Sequence, residues 1–313
     1  MTALLKPAAV PAGARIGLIA PASYPPQGQI ESGVERLRSL GYAPQLAPHA
    51  QARGPLSFAG TPEQRLSDLY KVFMDPEIAA VMCVRGGYGS NYLLDKMDLN
   101  LLRVHPKVFV GYSDITGMQV LMLDRIGLPA FHAPMAAHDF SGTDNVHLPS
   151  FHAALAGETY SVGAAEGMRP LRRGPGNGVA RGTLYGGCLS ILVEMLGTPF
   201  APQTEGKLLF IEDVQTPPYQ IDRLLWQLRH AGKLAGVTGI IFGEMLGCAG
   251  PGEQETLINS IMNALDGIDV PMAFGLRCGH VSRQGVTLTF GVQAELKVGG
   301  DAQLSLLEPA VQR

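Results

Sequence analysis

The 313-residue sequence predicts an α/β protein organised around a largely parallel sheet. Three observations carry that prediction. Short continuous apolar runs are each followed by a segment of helical periodicity; glycine clusters close several of those runs; and 46% hydrophobic against 16% charged residues is enough for a large core. The length accommodates about two domains at roughly 100–200 residues each.

Taken in order, Arg15 to Ala20 is a short apolar run closed by Pro21, hence a strand. Ile30 to Leu40 repeats its apolar residues at Ile30, Val34, Leu37 and Leu40, close to helical spacing, and Gly41 stops it. Thr61-Pro62-Glu63 opens a second helix through Phe73, with Thr61 as the capping hydroxyl and Pro62 in the first turn, where a missing N–H is harmless. Ile78 to Val84 is a continuous apolar strand that ends abruptly at Gly86-Gly87-Tyr88-Gly89. Lys107 to Gly111 as strand and Asp114 to Ile126 as helix complete a third β-α pair. Gly, Pro and Arg dominate from Gly163 to Gly187, which no regular element tolerates well, so residues 163–187 are predicted to be an interdomain crossing between 1–162 and 188–313. The second half predicts a helix from Leu189 to Leu196, a strand at Lys207 to Ile211, a helix from Ile221 to His230, and strands near Gly239 to Phe242 and Val286 to Phe290.

Composition excludes several function classes. Lys+Arg 24 against Asp+Glu 27 gives a formal net charge of −3, which argues against a nucleic-acid or membrane-surface partner. Apolar stretches such as Val237 to Phe242 stop far short of the ~20 residues a membrane span needs. The run after Arg15 is shorter than the roughly 7–15 apolar residues of a secretory signal, so export by that route is not expected. Cys83, Cys188, Cys248 and Cys278 form no C-x-x-C pair, which predicts reduced, buried thiols in a cytoplasmic protein and no metal site.

Four segments offer chemistry. Gly111-Tyr112-Ser113-Asp114 sits where a buried strand gives way to a helix; a serine there is either a nucleophile exposed at the sheet edge or simply the helix N-cap. Glu212-Asp213 ends a buried-looking strand, where a carboxylate either orients an imidazole or caps the loop before Pro217-Pro218. His280, approached through Cys278-Gly279, would supply a general base. Arg85-Gly86-Gly87-Tyr88-Gly89 is a glycine-rich turn at a strand's carboxyl end; its N–H groups can hold an anion or complete an oxyanion hole, and Arg85 can pair with a carboxylate. It lacks nucleotide-fingerprint spacing and a Walker lysine.

Together, in this order, the four segments resemble the serine LD-carboxypeptidases that trim the muropeptide stem. Ile19-Ala20-Pro21-Ala22-Ser23, Phe58-Ala59-Gly60-Thr61, Asp75-Pro76-Glu77-Ile78, Tyr185-Gly186-Gly187 and Tyr219-Gln220-Ile221-Asp222-Arg223 extend the likeness over nearly the whole chain. The resemblance implies Ser113 as nucleophile, His280 as base and acid, Glu212 as the carboxylate orienting His280, and backbone N–H groups of Gly87 and Asp114 as oxyanion donors, with Arg85 and Gly86 facing the substrate. It implies an N-terminal flavodoxin-like parallel-sheet domain carrying Ser113 and a C-terminal swivelling β/α domain carrying Glu212 and His280, the active site lying between them. It further implies a murein tetrapeptide substrate in peptidoglycan recycling, no cofactor, and a homodimer. Two stretches depart from the family pattern: His132-Ala133-Pro134-Met135 for His-Gly-Pro-Met, and Gly186-Gly187-Cys188-Leu189 for Gly-Gly-Asn-Leu. Neither alters a triad residue.

Microcin C self-immunity peptidases are relatives in the same family and form the rival reading. They use an aromatic stack from the crossing, for which this chain offers only Met168 and Tyr185, its sole tryptophan, Trp226, reading as structural. A rival from another class is a non-catalytic binding protein for a small anion, in which Ser113 is only a cap.

Overall fold

The computed structural model describes residues 3–313, which divide into two compact units. The first contains residues 3–158, 286–291 and 309–313; the second contains 159–285 and 292–308.

In the first unit, β1 (Arg15–Ile19), β2 (Ala43–Leu46), β3 (Ile78–Cys83), β4 (Val108–Gly111) and β5 (Ala130–His132) form a parallel sheet in the order β2-β1-β3-β4-β5. This is the flavodoxin-like order, with the topological switch between β1 and β3. Helices α1 (Gln29–Ser39), α2 (Pro62–Met74), α3 (Leu99–Val104), α4 (Thr116–Ile126) and α5 (Leu148–Ala156) accompany it. Thr61 caps α2 as the sequence predicts, in a reciprocal box with Gln64. Buried β-strand residues read as continuous apolar runs because helices cover such sheets; Phe73 of α2 lies against Phe109 of β4 with ring centroids 6.2 Å apart. A large apolar side chain buried this way contributes about 1.5–3 kcal/mol.

The second unit is an eight-stranded mixed sheet. It contains β6 (Ser161–Val162), β7 (Arg169–Arg172), β8 (Val179–Cys188), β9 (Lys207–Glu212), β10 (Gly239–Gly243) and β11 (Met272–Leu276), with α6 (Leu189–Glu194), α7 (Pro218–His230) and α8 (Gln254–Ala264). The chain then forms β12 (Leu288–Phe290), which pairs antiparallel with β5 in the first unit, before β13 (Gln293–Val298) and β14 (Ala302–Leu306) complete the second sheet. Its order is β6-β14-β13-β8-β9-β10-β11-β7, parallel from β8 to β11.

The segment 163–187 therefore differs from its sequence reading. It is not a bare crossing: it carries β7 and most of β8, a central strand of the second sheet, and the change of unit falls at 158/159. The glycines that suggest a linker serve close packing instead. A Cβ on Gly186 would lie 1.8 Å from the carbonyl oxygen of Phe210 on β9, so only glycine fits that position. The strand near 286–290 likewise belongs to the first unit, because β12 extends the edge of its sheet beyond β5. Among the described residues no helix is long and apolar enough to cross a membrane.

Candidate active site

In the first unit the loops that follow β1, β3 and β4 converge. Ser113 follows β4 directly and begins a single 3₁₀ turn, Ser113–Ile115, that runs into α4. It is not a helix cap: Tyr112 stands at the cap position and no side chain caps the turn. Ser113 instead adopts φ 64°, a left-handed backbone that an L-residue other than glycine takes only at a cost of about 1–2 kcal/mol. Strain of that kind persists where the surrounding structure enforces it. Gly86 leaves room for it, since a Cβ at that position would stand 2.8 Å from the Ser113 Cβ and 3.0 Å from its Oγ. The Arg85-Gly86-Gly87 turn is therefore packed directly against the serine.

That turn is fixed by Ser23 after β1. Ser23 N–H donates to the Gly86 carbonyl (3.2 Å), and the Ser23 Oγ accepts the Tyr88 N–H (3.1 Å). Gly87 stands at φ 101°. Arg85 donates from Nη1 to the Tyr24 carbonyl (3.3 Å). Asp114 is buried, its Oδ2 accepting the Ser90 N–H at 2.8 Å.

In the second unit Glu212 ends β9 and is fully buried. Its Oε2 accepts two hydrogen bonds from His280, one from the backbone N–H (3.1 Å) and one from the ring Nδ1 (2.7 Å). A carboxylate acceptor at Oε2 places the hydrogen on Nδ1 and leaves Nε2 as the ring nitrogen turned away from Glu212. Asp213 faces elsewhere, accepting from Ser190 N–H (2.9 Å), Ser190 Oγ (2.7 Å), Val214 N–H (2.8 Å) and Thr216 Oγ1 (2.9 Å). Gly279 admits the pair, since a Cβ there would meet the Glu212 carboxyl carbon at 2.6 Å.

The departure at Cys188 lies beside this pair, because Cys188 stands opposite Glu212 in the β8–β9 register. All four cysteines are free and buried. Burial pushes the Cys83 and Cys188 thiols well up, and Cys248 up to about 11. His132 is buried at the end of β5 beside Phe290. Among the described residues no group of three or more His, Cys, Asp or Glu is placed to hold a metal ion.

Sequence reasoning missed Ser90 and Arg65. Ser90 gives no signal beyond its place after the glycine turn. Arg65 gives one: it lies on the buried face of α2 with Leu69 and Val72, a charge in the apolar phase of an amphipathic helix.

Fold and geometry together define a protein of two α/β units, one presenting a strained serine at the carboxyl ends of a flavodoxin-like sheet, the other a histidine held by a buried carboxylate. The chain belongs to the LD-carboxypeptidase family: residues 16–133 match the LD-carboxypeptidase N-terminal domain and residues 181–296 the C-terminal domain. It is 37% identical to the Bacillus subtilis protein named "Probable murein peptide carboxypeptidase", over 93% of this chain and 91% of that one. It is 33% identical to the murein tetrapeptide carboxypeptidase of Pseudomonas aeruginosa, over 86% and 89%. The crystal structure of muramoyltetrapeptide carboxypeptidase from Oxalobacter formigenes superposes with TM-score 0.81 at 28% identity, covering 94% of this chain and 98% of that one. The Escherichia coli microcin C7 self-immunity protein MccF is more distant, 26% identical over 88% and 87%.

Proposed function

We propose that this protein is a serine carboxypeptidase that hydrolyses the L,D-amide bond releasing terminal D-alanine from a murein tetrapeptide. The observation that carries this reading is the φ of 64° at Ser113, a strained, uncapped serine between β4 and its helix. Other non-glycine residues, Ser57 among them, also stand at positive φ; what sets Ser113 apart is its place at the turn from a buried strand to a helix, packed against Gly86, where a nucleophile is lifted clear of the sheet edge.

In this reading Ser113 Oγ attacks the carbonyl carbon on the L-side of the scissile amide, and His280 Nε2 takes the hydroxyl proton. Glu212 holds the ring in the required tautomer and stabilises the imidazolium that forms. Backbone N–H groups of Gly87 and Asp114 receive the oxyanion, each donor being worth roughly 2.7–4 kcal/mol in the barrier. His280 returns the proton to the departing amine of D-alanine. Water, activated by the same base, then hydrolyses the acyl-serine ester. Arg85 takes the terminal carboxylate, and Gly86 lets substrate approach the serine without a side chain in the way.

The immunity-type alternative finds less support. Met168 and Tyr185 are both buried in the second unit, and Trp226, read from the sequence as structural, is exposed on α7 and stacked on His230 with centroids 4.0 Å apart. The test is to incubate wild type and Ser113→Ala with the tetrapeptide L-Ala-D-Glu-diaminopimelate-D-Ala and follow the mass for loss of one alanine. Loss with the wild type alone is expected. Loss from neither folded protein would refute the reaction, and loss from both would refute the nucleophile.

A further inference from the structure

We infer that Arg65 and Ser90 are positioning residues for the oxyanion donors, a role that rests on the function proposed above and deepens it. The glycine turn and the serine turn belong to different loops, and their relative placement must be accurate to a fraction of an ångström for N–H groups of both to meet one oxygen. Two devices fix it. Ser90 binds Asp114 twice, giving its N–H to the Asp114 carboxylate (2.8 Å) and its hydroxyl to the Asp114 carbonyl (2.7 Å). Arg65 reaches from α2 and gives Nη1 to the Gly89 carbonyl (2.8 Å) and to the Pro21 carbonyl (2.7 Å), joining the loop after β3 to the loop after β1. Its guanidinium lies over the Phe58 ring, 4.9 Å from the centroid.

Arg65 is a buried charge placed between two loops of the site. The residue is 2% exposed, and its Nε and Nη2 have no hydrogen-bond partner. An apolar side chain of similar length would leave the Pro21 and Gly89 carbonyls without this donor, so the guanidinium is needed where the two loops meet. Burial lowers its pKa, with the charges of Asp114 and Glu63 pulling the other way. Gly89 is shaped to admit it: a Cβ there would press on Phe58 at 2.6 Å and on Arg65 Nη1 at 3.1 Å. The arginine therefore ties together the loops after β1 and β3, and Ser90 ties the loop after β3 to the turn after β4.

The experiment measures the rate at which a fluorophosphonate phosphonylates Ser113, together with kcat and KM for the tetrapeptide and the thermal midpoint, in Arg65→Met, Arg65→Lys and Ser90→Ala. Phosphonylation forms a bond from serine oxygen to phosphorus, expels fluoride and places negative charge on an oxygen in the oxyanion site, so it reads the donors without the peptide. Expected are a roughly tenfold to hundredfold fall in labelling rate and kcat for Arg65→Met with KM within about twofold, a lowered midpoint because two buried carbonyls lose their donor, and partial rescue of labelling rate and kcat by lysine. Ser90→Ala, a smaller change that keeps the core intact, should lower labelling in the same proportion as kcat. Folded variants with wild-type labelling would overturn the inference while leaving the nucleophile standing. A fully active Ser113→Ala enzyme would overturn the nucleophile and the inference together.

Discussion

Replacing Gly279 by alanine separates the conformational cost of a left-handed residue from the geometric demand of the His280–Glu212 pair. Gly279 stands at φ 83°, and its added Cβ would lie 2.6 Å from the Glu212 carboxyl carbon and 2.7 Å from Oε2, about 0.8 Å inside ordinary contact. Glu212 is fully buried and has no solvent to swing into, so the clash is relieved by moving the carboxylate off His280. A shift of that size stretches the 2.7 Å Nδ1–H···Oε2 bond past hydrogen-bond range. Loss of the orienting carboxylate in a serine–histidine system costs about 10⁴ in kcat, so a fall of roughly 10²–10⁴ is expected. Gly232→Ala is the control. It has a similar φ of 76°, lies in the same unit, and has nothing within 4 Å of its Cβ. Both variants should lose about 1–2 kcal/mol to backbone strain, a few degrees in midpoint. Only Gly279→Ala should lose alanine release from the tetrapeptide. Equal activities in the two folded variants would refute the reasoning, because the crowding of Glu212 is the feature that separates them.

Two further outcomes are expected. Thiolate is the reactive form of cysteine, and burial that raises Cys83, Cys188 and Cys248 keeps them protonated at pH 8, so native protein should show no fast thiol titration with an aromatic disulfide reagent and denatured protein should show all four; fast native reaction would contradict the packing of these strands. Glu295 on β13 accepts from Lys297 (2.9 Å) and from Arg181 (2.6 Å) directly opposite on β8, and these bonds lower its pKa. A depressed carboxyl pKa gives stability that is present above the unfolded value and lost as pH falls through the folded one. Wild type should therefore exceed Glu295→Gln in urea stability at pH 7, with the gap closing below the ordinary carboxylate range; a gap independent of pH would show that charge is not its source.

The alternation of strands and helices, the cap at Thr61, the strand-to-helix turn at Ser113 and the glycine turn at 85–89 were all legible in the sequence. Each rests on contacts within a few residues or on a buried strand's continuous apolarity, which a linear reading can see. Tertiary structure decided the rest. The residues alone left Glu212 as either an orienter or a loop cap; its bond to His280 is a contact 68 residues apart in the chain, and two adjacent carboxylates at a strand's end point to opposite faces, so Glu212 goes to the histidine and Asp213 to Ser190. The glycines of β8 look like linker in composition because the reason for them, the approach of the Phe210 carbonyl, is on another strand. The membership of β12 in the first sheet and the reach of Arg65 to two loop carbonyls have the same origin. Local order is set by propensity and periodicity along the chain, whereas the pairing of distant backbones and buried charges is set by packing, whose energy depends on neighbours the sequence does not place side by side.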